Sequence, residues 1–450
     1  SVPSAKEKGS KAYAGTINGE GYLEMRVSAP SDRTLVSKIA EIVQNAERQK
    51  SGAEKFVDRF AAIYTPAVIL LSVLVAIVPA LVFSQPFDTW FYRALVLLVT
   101  ACPCALAIST PVSLVSGISS AAKNGILVRG GDYLEKAAGA KAVIFDKTGT
   151  LTEGVFEVAD VAPLNGYSKE ELLRIAASLE AKSEHPIARA IMHKAPKGLH
   201  MVSKFMSYPG KGISGMMGGV VYFAGNLKLP VNSDEKSTEL MRRLESEGKT
   251  VVIIATQKQA IGIISISDRL RDGAREAVSE LEAMGITSIM LTGDNKDTAQ
   301  AIASRVGIKY FHAGLLPEQK LEEVKRLRQK YGAVMMVGDG VNDAPALAVA
   351  DVGIAMGAIG SDVAIETADA AIMRDDLSKI PFLVRLGRKT MNVVKENVAA
   401  SLIVKGGVGL MAFFGLISLW VAVAVGDMGL SLLVIGNALR IGMTGMRTAF

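Results

Sequence analysis

The sequence predicts a multidomain membrane protein, an α-helical bundle of four spans joined to α/β domains outside the bilayer. Four apolar stretches, roughly at 61–83, 93–116, 398–418 and 420–441, reach the ~20 residues needed to cross a hydrocarbon core. Between the second and third lie short, bounded apolar runs that end in acidic loops, as buried strands of a parallel sheet do. At 450 residues, 50% of them hydrophobic and 21% charged, the chain is too long for one domain and suggests about three.

Three strand-loop units carry the chemistry. Ala142-Val143-Ile144-Phe145 leads into Asp146-Lys147-Thr148-Gly149-Thr150-Leu151-Thr152. Ser288-Ile289-Met290-Leu291 leads into Thr292-Gly293-Asp294, and Val334-Met335-Met336-Val337 into Gly338-Asp339-Gly340-Val341-Asn342-Asp343. A carboxylate just past such a strand stands at the carboxyl edge of the sheet, where α/β folds place their ligand crevice. If the three strands are neighbours, Asp146, Asp294, Asp339 and Asp343 converge. Clustered carboxylates repel one another unless a cation sits among them, and hard, oxygen-seeking Mg2+ usually comes with phosphate. Asp146 is then the nucleophile that takes a phosphoryl group, with Asp146, Thr148 and Asp339 around the Mg2+. Thr148, Thr292 and Gly293 can donate to phosphate oxygens, and Lys320 can neutralise charge that builds during transfer. A single Asp after a strand is ordinarily a turn or cap residue; three coordinated units argue against that. The catalytic set read here is Asp146, Lys147, Thr148, Thr292, Gly293, Asp294, Lys320, Asn342 and Asp343.

DKTGTLT, TGD and GDGVNDAP, in this order, resemble the P-type ATPases, ion pumps built on a haloacid-dehalogenase-like phosphorylation domain. With the spans, the resemblance covers essentially the whole chain. It implies an aspartyl-phosphate intermediate, Mg2+ and ATP as cofactor and substrate, and this division: 1–50, the carboxyl-terminal part of a β-rich actuator domain; 51–128, a stalk and helix pair; 129–154 and 266–388, the two parts of the phosphorylation domain; 155–265, an α+β nucleotide-binding insert; 389–450, a second helix pair. The family's actuator carries a Thr-Gly-Glu loop, and residues 1–19 resemble the sequence just beyond it. The chain therefore reads as a fragment lacking upstream helices, one that phosphorylates slowly and does not turn over alone.

Orientation follows from basic residues. Lys38, Arg48, Lys50, Lys55 and Arg59 precede the first span, Lys123 and Arg129 follow the second, and Arg385, Arg388, Lys389 and Lys395 precede the third. The linkers within each pair are short and poor in positive charge, so both ends and the central region face the cytoplasm of a plasma membrane. These flanks account for the net charge of +6, and no nucleic-acid partner is expected. Lipid, ATP and a metal ion are the expected partners of a monomer. Residues 35–59 read as a charged stalk helix.

The second span contains Ala101-Cys102-Pro103-Cys104-Ala105. Proline cannot donate its backbone hydrogen bond and frees carbonyls at mid-membrane. The only two cysteines of the chain flank it, so no disulfide framework is expected. Thiolates suit Zn2+, Cd2+, Pb2+ or Cu+, whereas most free cysteines are simply small buried groups. Lys405 lies in the third span and Asp427 in the fourth. Ionisable groups at such depth cost several kcal/mol and mark function by default, although a structural ion pair is the plain alternative. Two thiolates and a carboxylate balance a divalent metal plus Lys405, giving a neutral site, with Lys405 as counter-ion once the metal leaves. Met428 is read as packing.

Cys-Pro-Cys resembles the heavy-metal branch of the family, and the Lys405 and Asp427-x-Gly429 pair is similar to its zinc, cadmium and lead exporters. The motifs of the copper pumps are absent from the last two spans. Ser183-Glu184-His185-Pro186 resembles the branch's nucleotide-binding motif, which implies Glu184 and His185 near adenine, with Gly210 and Gly212 letting backbone approach the nucleotide. The insert is expected to be helical first, then strand-rich. Asp268-Arg269-Leu270-Arg271 matches a family hinge pattern. The expectation is ATP-driven export of Zn2+, Cd2+ or Pb2+. A Cu+ pump, a membrane-anchored phosphatase-like enzyme and a non-cycling fragment that binds nucleotide and metal are the alternatives.

Overall fold

The computed structural model describes residues 25, 51–183, 186–208, 211–226, 235–339, 343–357 and 368–443. The actuator-like segment and Glu184, His185, Gly210 and Asn342 lie outside the described residues. The chain forms two compact units, one of residues 1–140, 357–374 and 379–450, the other of 141–356 and 375–378.

The first unit begins with α1 (Gly52–Phe83). Ser51 and Glu54 cap it reciprocally, the Glu54 N–H donating to Ser51 Oγ and the Ser51 N–H to Glu54 Oε2, so the first turn leaves few orphan donors. Next come α2 (Phe87–Thr100), α3 (Cys104–Lys123), β1 (Ile126–Val128) and α4 (Gly131–Gly139). The predicted second span is thus two helices. Pro103 cannot continue the hydrogen-bond ladder of α2, and α3 starts again at Cys104.

The second unit follows in chain order. It contains β2 (Ala142–Asp146), β3 (Thr152–Pro163), α5 (Lys169–Glu180), α6 (Pro186–His193), β4 (Ser203–Tyr208), β5 (Gly212–Met217) and β6 (Val220–Gly225). Then come α7 (Glu235–Ser246), β7 (Thr250–Thr256), β8 (Ala260–Leu270), α8 (Ala274–Ala283), β9 (Thr287–Leu291), α9 (Lys296–Val306), β10 (Tyr310–His312) and α10 (Pro317–Tyr331). It closes with β11 (Val334–Gly338), α11 (Ala344–Val349) and β12 (Val352–Ala355). Five of these strands run parallel in the order β12-β11-β2-β9-β10. β2 is buried along its whole length, which is why its sequence is a continuous apolar run rather than an alternation. Ile144, Ile289 and Met336 share one core with Val324 and Leu327 of α10.

A second sheet, antiparallel in the order β3-β8-β7-β6-β5-β4, carries α5 and α6 over its own core of Leu172, Leu179, Ile191, Ile254 and Ile261. The insert therefore opens on a long strand, not on helices. β3 pairs with β8, and only that distant partner decides the strand state of Thr152–Pro163.

The chain returns to the first unit through β13 (Ala370–Ile372), antiparallel to β1. α12 (Lys379–Phe413) follows, then α13 (Leu419–Val423), a wide π-type turn at Ala424–Gly429, and α14 (Leu430–Leu439). Four segments, Gly52–Phe83, Phe87–Lys123, Lys379–Phe413 and Leu419–Gly442, have the length and apolarity of membrane spans. The last is not one regular helix. Gly426 lets the widened turn approach α12 so closely that a Cβ there would stand 3.2 Å from Val408.

α4 packs on α12 through a glycine. A Cβ on Gly387 would stand 2.6 Å from Leu134 O and 3.1 Å from Ala138 N. Gly387→Val is expected to lower stability by about 1–3 kcal/mol, read as a lower unfolding midpoint in detergent. Gly139→Ala, with open space around the added carbon, is the control that stays at or above the parent value.

Candidate phosphorylation and metal sites

Asp146 is the last residue of β2, and in the sheet register it faces Leu291, the last of β9. The register of β11 aligns Val337 with Phe145, so the loops that begin at residues 147, 292 and 339 leave one edge of the sheet side by side. Asp146 and Asp343 are buried. The Thr148 N–H donates to Asp146 Oδ2 at 3.0 Å. Lys320 Nζ donates to Asp146 Oδ1 and, at 3.0 Å, to Asp343 Oδ1. Gly149 adopts a left-handed φ of 74°, and a Cβ there would stand 3.5 Å from Asp339 Cβ, which places Asp339 beside the same loop.

Burial, then the charges of Asp343 and Asp339, push the Asp146 carboxyl up from 3.8 to about 7, against the pull of Lys320. Burial also raises Asp343. Burial works against the Lys320 ammonium, but the two carboxylates outweigh it and hold its pKa above the usual value. Asp343 Oδ2 is buried without a hydrogen-bond partner. Three carboxylates against one ammonium, with an orphaned oxygen among them, leave net negative charge that a hard divalent cation could offset, although with Lys320 between Asp146 and Asp343 they are not gathered as a ligand set.

Asp294 is not part of this cluster in the way the sequence suggested. It pairs with Lys147 at 2.5 Å, and Lys147 lies 4.0 Å from Asp268. Thr292 is buried, accepts from the Asp294 N–H at 3.1 Å and donates its own N–H to His312 O. Gly293 leaves room for Leu315 O, which would stand 3.2 Å from a Cβ.

Sequence reasoning undervalued the group that holds the 147–152 loop from behind. Asp268 accepts from the Gly154 N–H at 3.0 Å and lies 2.6 Å from Thr152 Oγ1. Arg271 donates to the carbonyls of Thr150, Gly149 and Thr152 at 3.1, 3.1 and 3.3 Å and pairs with Asp375 at 3.3 Å. The hinge-like Asp268–Arg271 stretch was the signal, but backbone carbonyls leave no mark in a sequence.

In the helix bundle, Lys405 Nζ reaches Asp427 Oδ1 at 3.1 Å and Thr100 O at 3.4 Å. Lys405, Asp427 and the carbonyl end of α2 thus meet where the chain breaks before Cys102. Two expectations are corrected here. Cys102 and Cys104 are paired with each other as a disulfide, their Cα atoms 5.6 Å apart, within the reach of such a bond. The break at Pro103 makes that closure possible. Met428 is 63% exposed, so it is not a packing residue among the described residues. No group of three or more His, Cys, Asp or Glu side chains that could hold a metal ion occurs among the described residues. Lys320 stands between Asp146 and Asp343, Lys405 holds Asp427, and the sulfurs hold each other.

The parallel sheet with its acidic edge is that of a haloacid-dehalogenase-like hydrolase, whose family model matches residues 140–351. The chain is 46% identical, over 98% of its length, to a probable cadmium-transporting ATPase of Alkalihalophilus pseudofirmus. It is 39% identical, also over 98%, to a cadmium, zinc and cobalt-transporting ATPase of Bacillus subtilis. It spans 62% and 63% of those two proteins. A crystal structure of a zinc-transporting PIB-type ATPase in an E2.Pi state superposes with a TM-score of 0.72 at 39% identity, covering 92% of this chain and 68% of that one. The chain belongs to the P-type ATPases, in the heavy-metal PIB branch.

The raised Asp146 carboxyl has a stability consequence. Its folded pKa of about 7 exceeds the ordinary aspartate value of 3.8, so over that window the native state holds a proton that the unfolded state loses. In chelator, the stability of the parent relative to Asp146→Asn is expected to fall as pH rises from about 4 to about 7 and then level off. Denaturant unfolding of both proteins at each pH checks this, and a flat difference contradicts it.

Proposed function

We propose that this chain is the catalytic and metal-binding part of an ATP-driven exporter of divalent soft metal ions, Zn2+, Cd2+ or Pb2+, in a plasma membrane, working through an aspartyl-phosphate at Asp146. The observation that carries the reading is Asp146 at the carboxyl edge of β2, held by the Thr148 N–H and by Lys320. The related proteins named above, called cadmium- and zinc-transporting ATPases, give the reaction class.

In the proposed step, an Asp146 oxygen attacks the γ-phosphorus of ATP. A bond forms between that oxygen and phosphorus, the bond from phosphorus to the β,γ-bridging oxygen breaks, and ADP leaves with the electron pair. A protonated carboxyl is a poor nucleophile, so Lys320 does two things: it favours the carboxylate form and stands where charge builds on the transferring group. Mg2+ would be held by Asp146, Thr148 and Asp339 and would add further charge neutralisation at the phosphate. Thr292, Gly293 and Asn342 are proposed to contact the phosphate, and Lys147, fixed by Asp294, keeps the loop in register. Glu184, His185, Gly210 and Gly212 are proposed to receive the nucleotide. Gly212 has a φ of 146°, a backbone that L side chains rarely adopt, which keeps that approach open.

Cys102, Cys104 and Asp427 are proposed as ligands of the transported metal once the sulfurs are reduced and Lys405 yields Asp427. The intramembrane Lys405 and Asp427 favour a divalent ion over Cu+, because a dication together with the retained Lys405 ammonium balances two thiolates and a carboxylate.

Phosphate incorporation from labelled ATP tests the reading. Label in membranes containing the protein is expected to rise with Zn2+, Cd2+ or Pb2+. Asp146→Asn should abolish it, and Cys102→Ser or Asp427→Ala should reduce metal stimulation more than tenfold, the scale of a lost charged ligand. Label that is indifferent to metal and to Cys102→Ser would overturn the transport reading.

A further inference from the structure

The Lys405–Asp427 pair lies deep in the bundle, and α12 continues from it towards the stalk with polar side chains on one face. Asn397, Ser401 and Lys405 are spaced by four residues, about 6 Å of rise each, and all three are at most 9% exposed. Asn397 Nδ2 donates to Val434 O of α14 at 3.2 Å. Asn437 Nδ2 donates to Asn397 Oδ1 at 2.9 Å and lies 3.3 Å from Glu396 Oε2. Glu396 is exposed, so the series runs from a carboxylate at the rim, through amides, to the buried ammonium–carboxylate pair.

Helix packing explains the amides, because polar side chains commonly tie membrane helices together. It does not explain the hydroxyls. Buried hydroxyls on helices usually donate to a carbonyl one turn back, as Ser113 does to Ser109 O and Thr390 to Leu386 O. Ser401 Oγ and Ser109 Oγ are buried with no hydrogen-bond partner. Ser401 lies midway between Asn397 and Lys405. Ser109 lies one turn from Ala105, which packs against Leu430 and Val434 of α14. Neither hydroxyl has a hydrogen bond to offset its burial.

We propose that Glu396, Asn397, Asn437 and Ser401 form an oxygen-lined relay through which a divalent cation passes between the stalk side of the bundle and the Lys405–Asp427 pair. This rests on the reading of Cys102, Cys104 and Asp427 as the metal centre. The carboxylate concentrates the cation at the rim. Neutral amide and hydroxyl oxygens replace part of its hydration without holding it, and the thiolates and Asp427 then bind it tightly. The neutral oxygens past the rim hold the cation less tightly than the thiolates and Asp427, so the passage runs towards the centre.

The experiment uses the full chain in detergent, its cysteines reduced with a phosphine, and Cd2+ as the probe. The ultraviolet cadmium–thiolate band is followed after rapid mixing with Cd2+ and again after rapid mixing with chelator. Ser401→Ala and Glu396→Gln are expected to slow both association and release about tenfold, the worth of roughly one hydrogen bond. Ser401→Cys places a thiol in the relay and is expected to add a second, slowly released Cd2+–thiolate phase. Equal rates in the parent and all three variants, or a fall in affinity with association unchanged, would overturn the relay alone. Absence of the band in the unsubstituted chain would overturn the metal-centre reading and the relay with it.

Discussion

A lysine ammonium set against a carboxylate recurs at both candidate sites. Lys320 bridges Asp146 and Asp343, Lys147 holds Asp294, and Lys405 holds Asp427. An ion removed from water costs several kcal/mol, and leaving one partner of a buried pair alone is strongly destabilising. None of these carboxylates could stay in place without its ammonium. The same pairing shapes the chemistry. In the proposed reaction, Lys320 and Lys405 each stand where a phosphoryl group or a cation arrives later. Ligand binding is then an exchange of one compensating charge for another, not the insertion of a charge into an apolar site.

Exchange of this kind works only if the backbone around the carboxylate keeps its shape. At Asp146 that task falls to groups far away in sequence. The end of β8 supplies Asp268, whose oxygens reach Thr152 and Gly154, and just beyond it Arg271 takes three carbonyls of the Gly149–Thr152 stretch. The strand β8 therefore anchors the loop that follows Asp146. Asp375 on the far side of Arg271 lies four residues before α12, the helix that carries Lys405. The chain is continuous from the loop's anchor to the proposed metal pair.

Most of the catalytic edge was legible because its cause is local. A bounded apolar run such as Ala142–Phe145 or Val334–Val337 can only be a buried strand or a buried turn of helix, and the acidic loop after it decides for the strand. The Lys405–Asp427 pair was legible for a similar reason, since two ionisable groups in otherwise apolar spans have few partners to choose from. Thr152–Pro163 was misread because its strand state depends on β8, about a hundred residues later. The π-type turn at Ala424–Gly429 was invisible because hydropathy counts apolar residues and does not register a widened helix. The sulfur pairing of Cys102 and Cys104 depends on how the break at Pro103 turns the two side chains, which spacing alone leaves open.

By itself the sequence determined which residues carry charge, sulfur or backbone freedom, and hence the fold class, the spans and the place of Asp146 at the end of a buried strand. Composition and periodicity act within a few turns of the chain, so they suffice for that. Only the tertiary structure decided which lysine answers which carboxylate, which carbonyls Arg271 gathers, and that Ser109 and Ser401 are left unpaired in an apolar bundle. Those are properties of distances between segments far apart in sequence, and burial energies act on the assembled interior rather than on the chain.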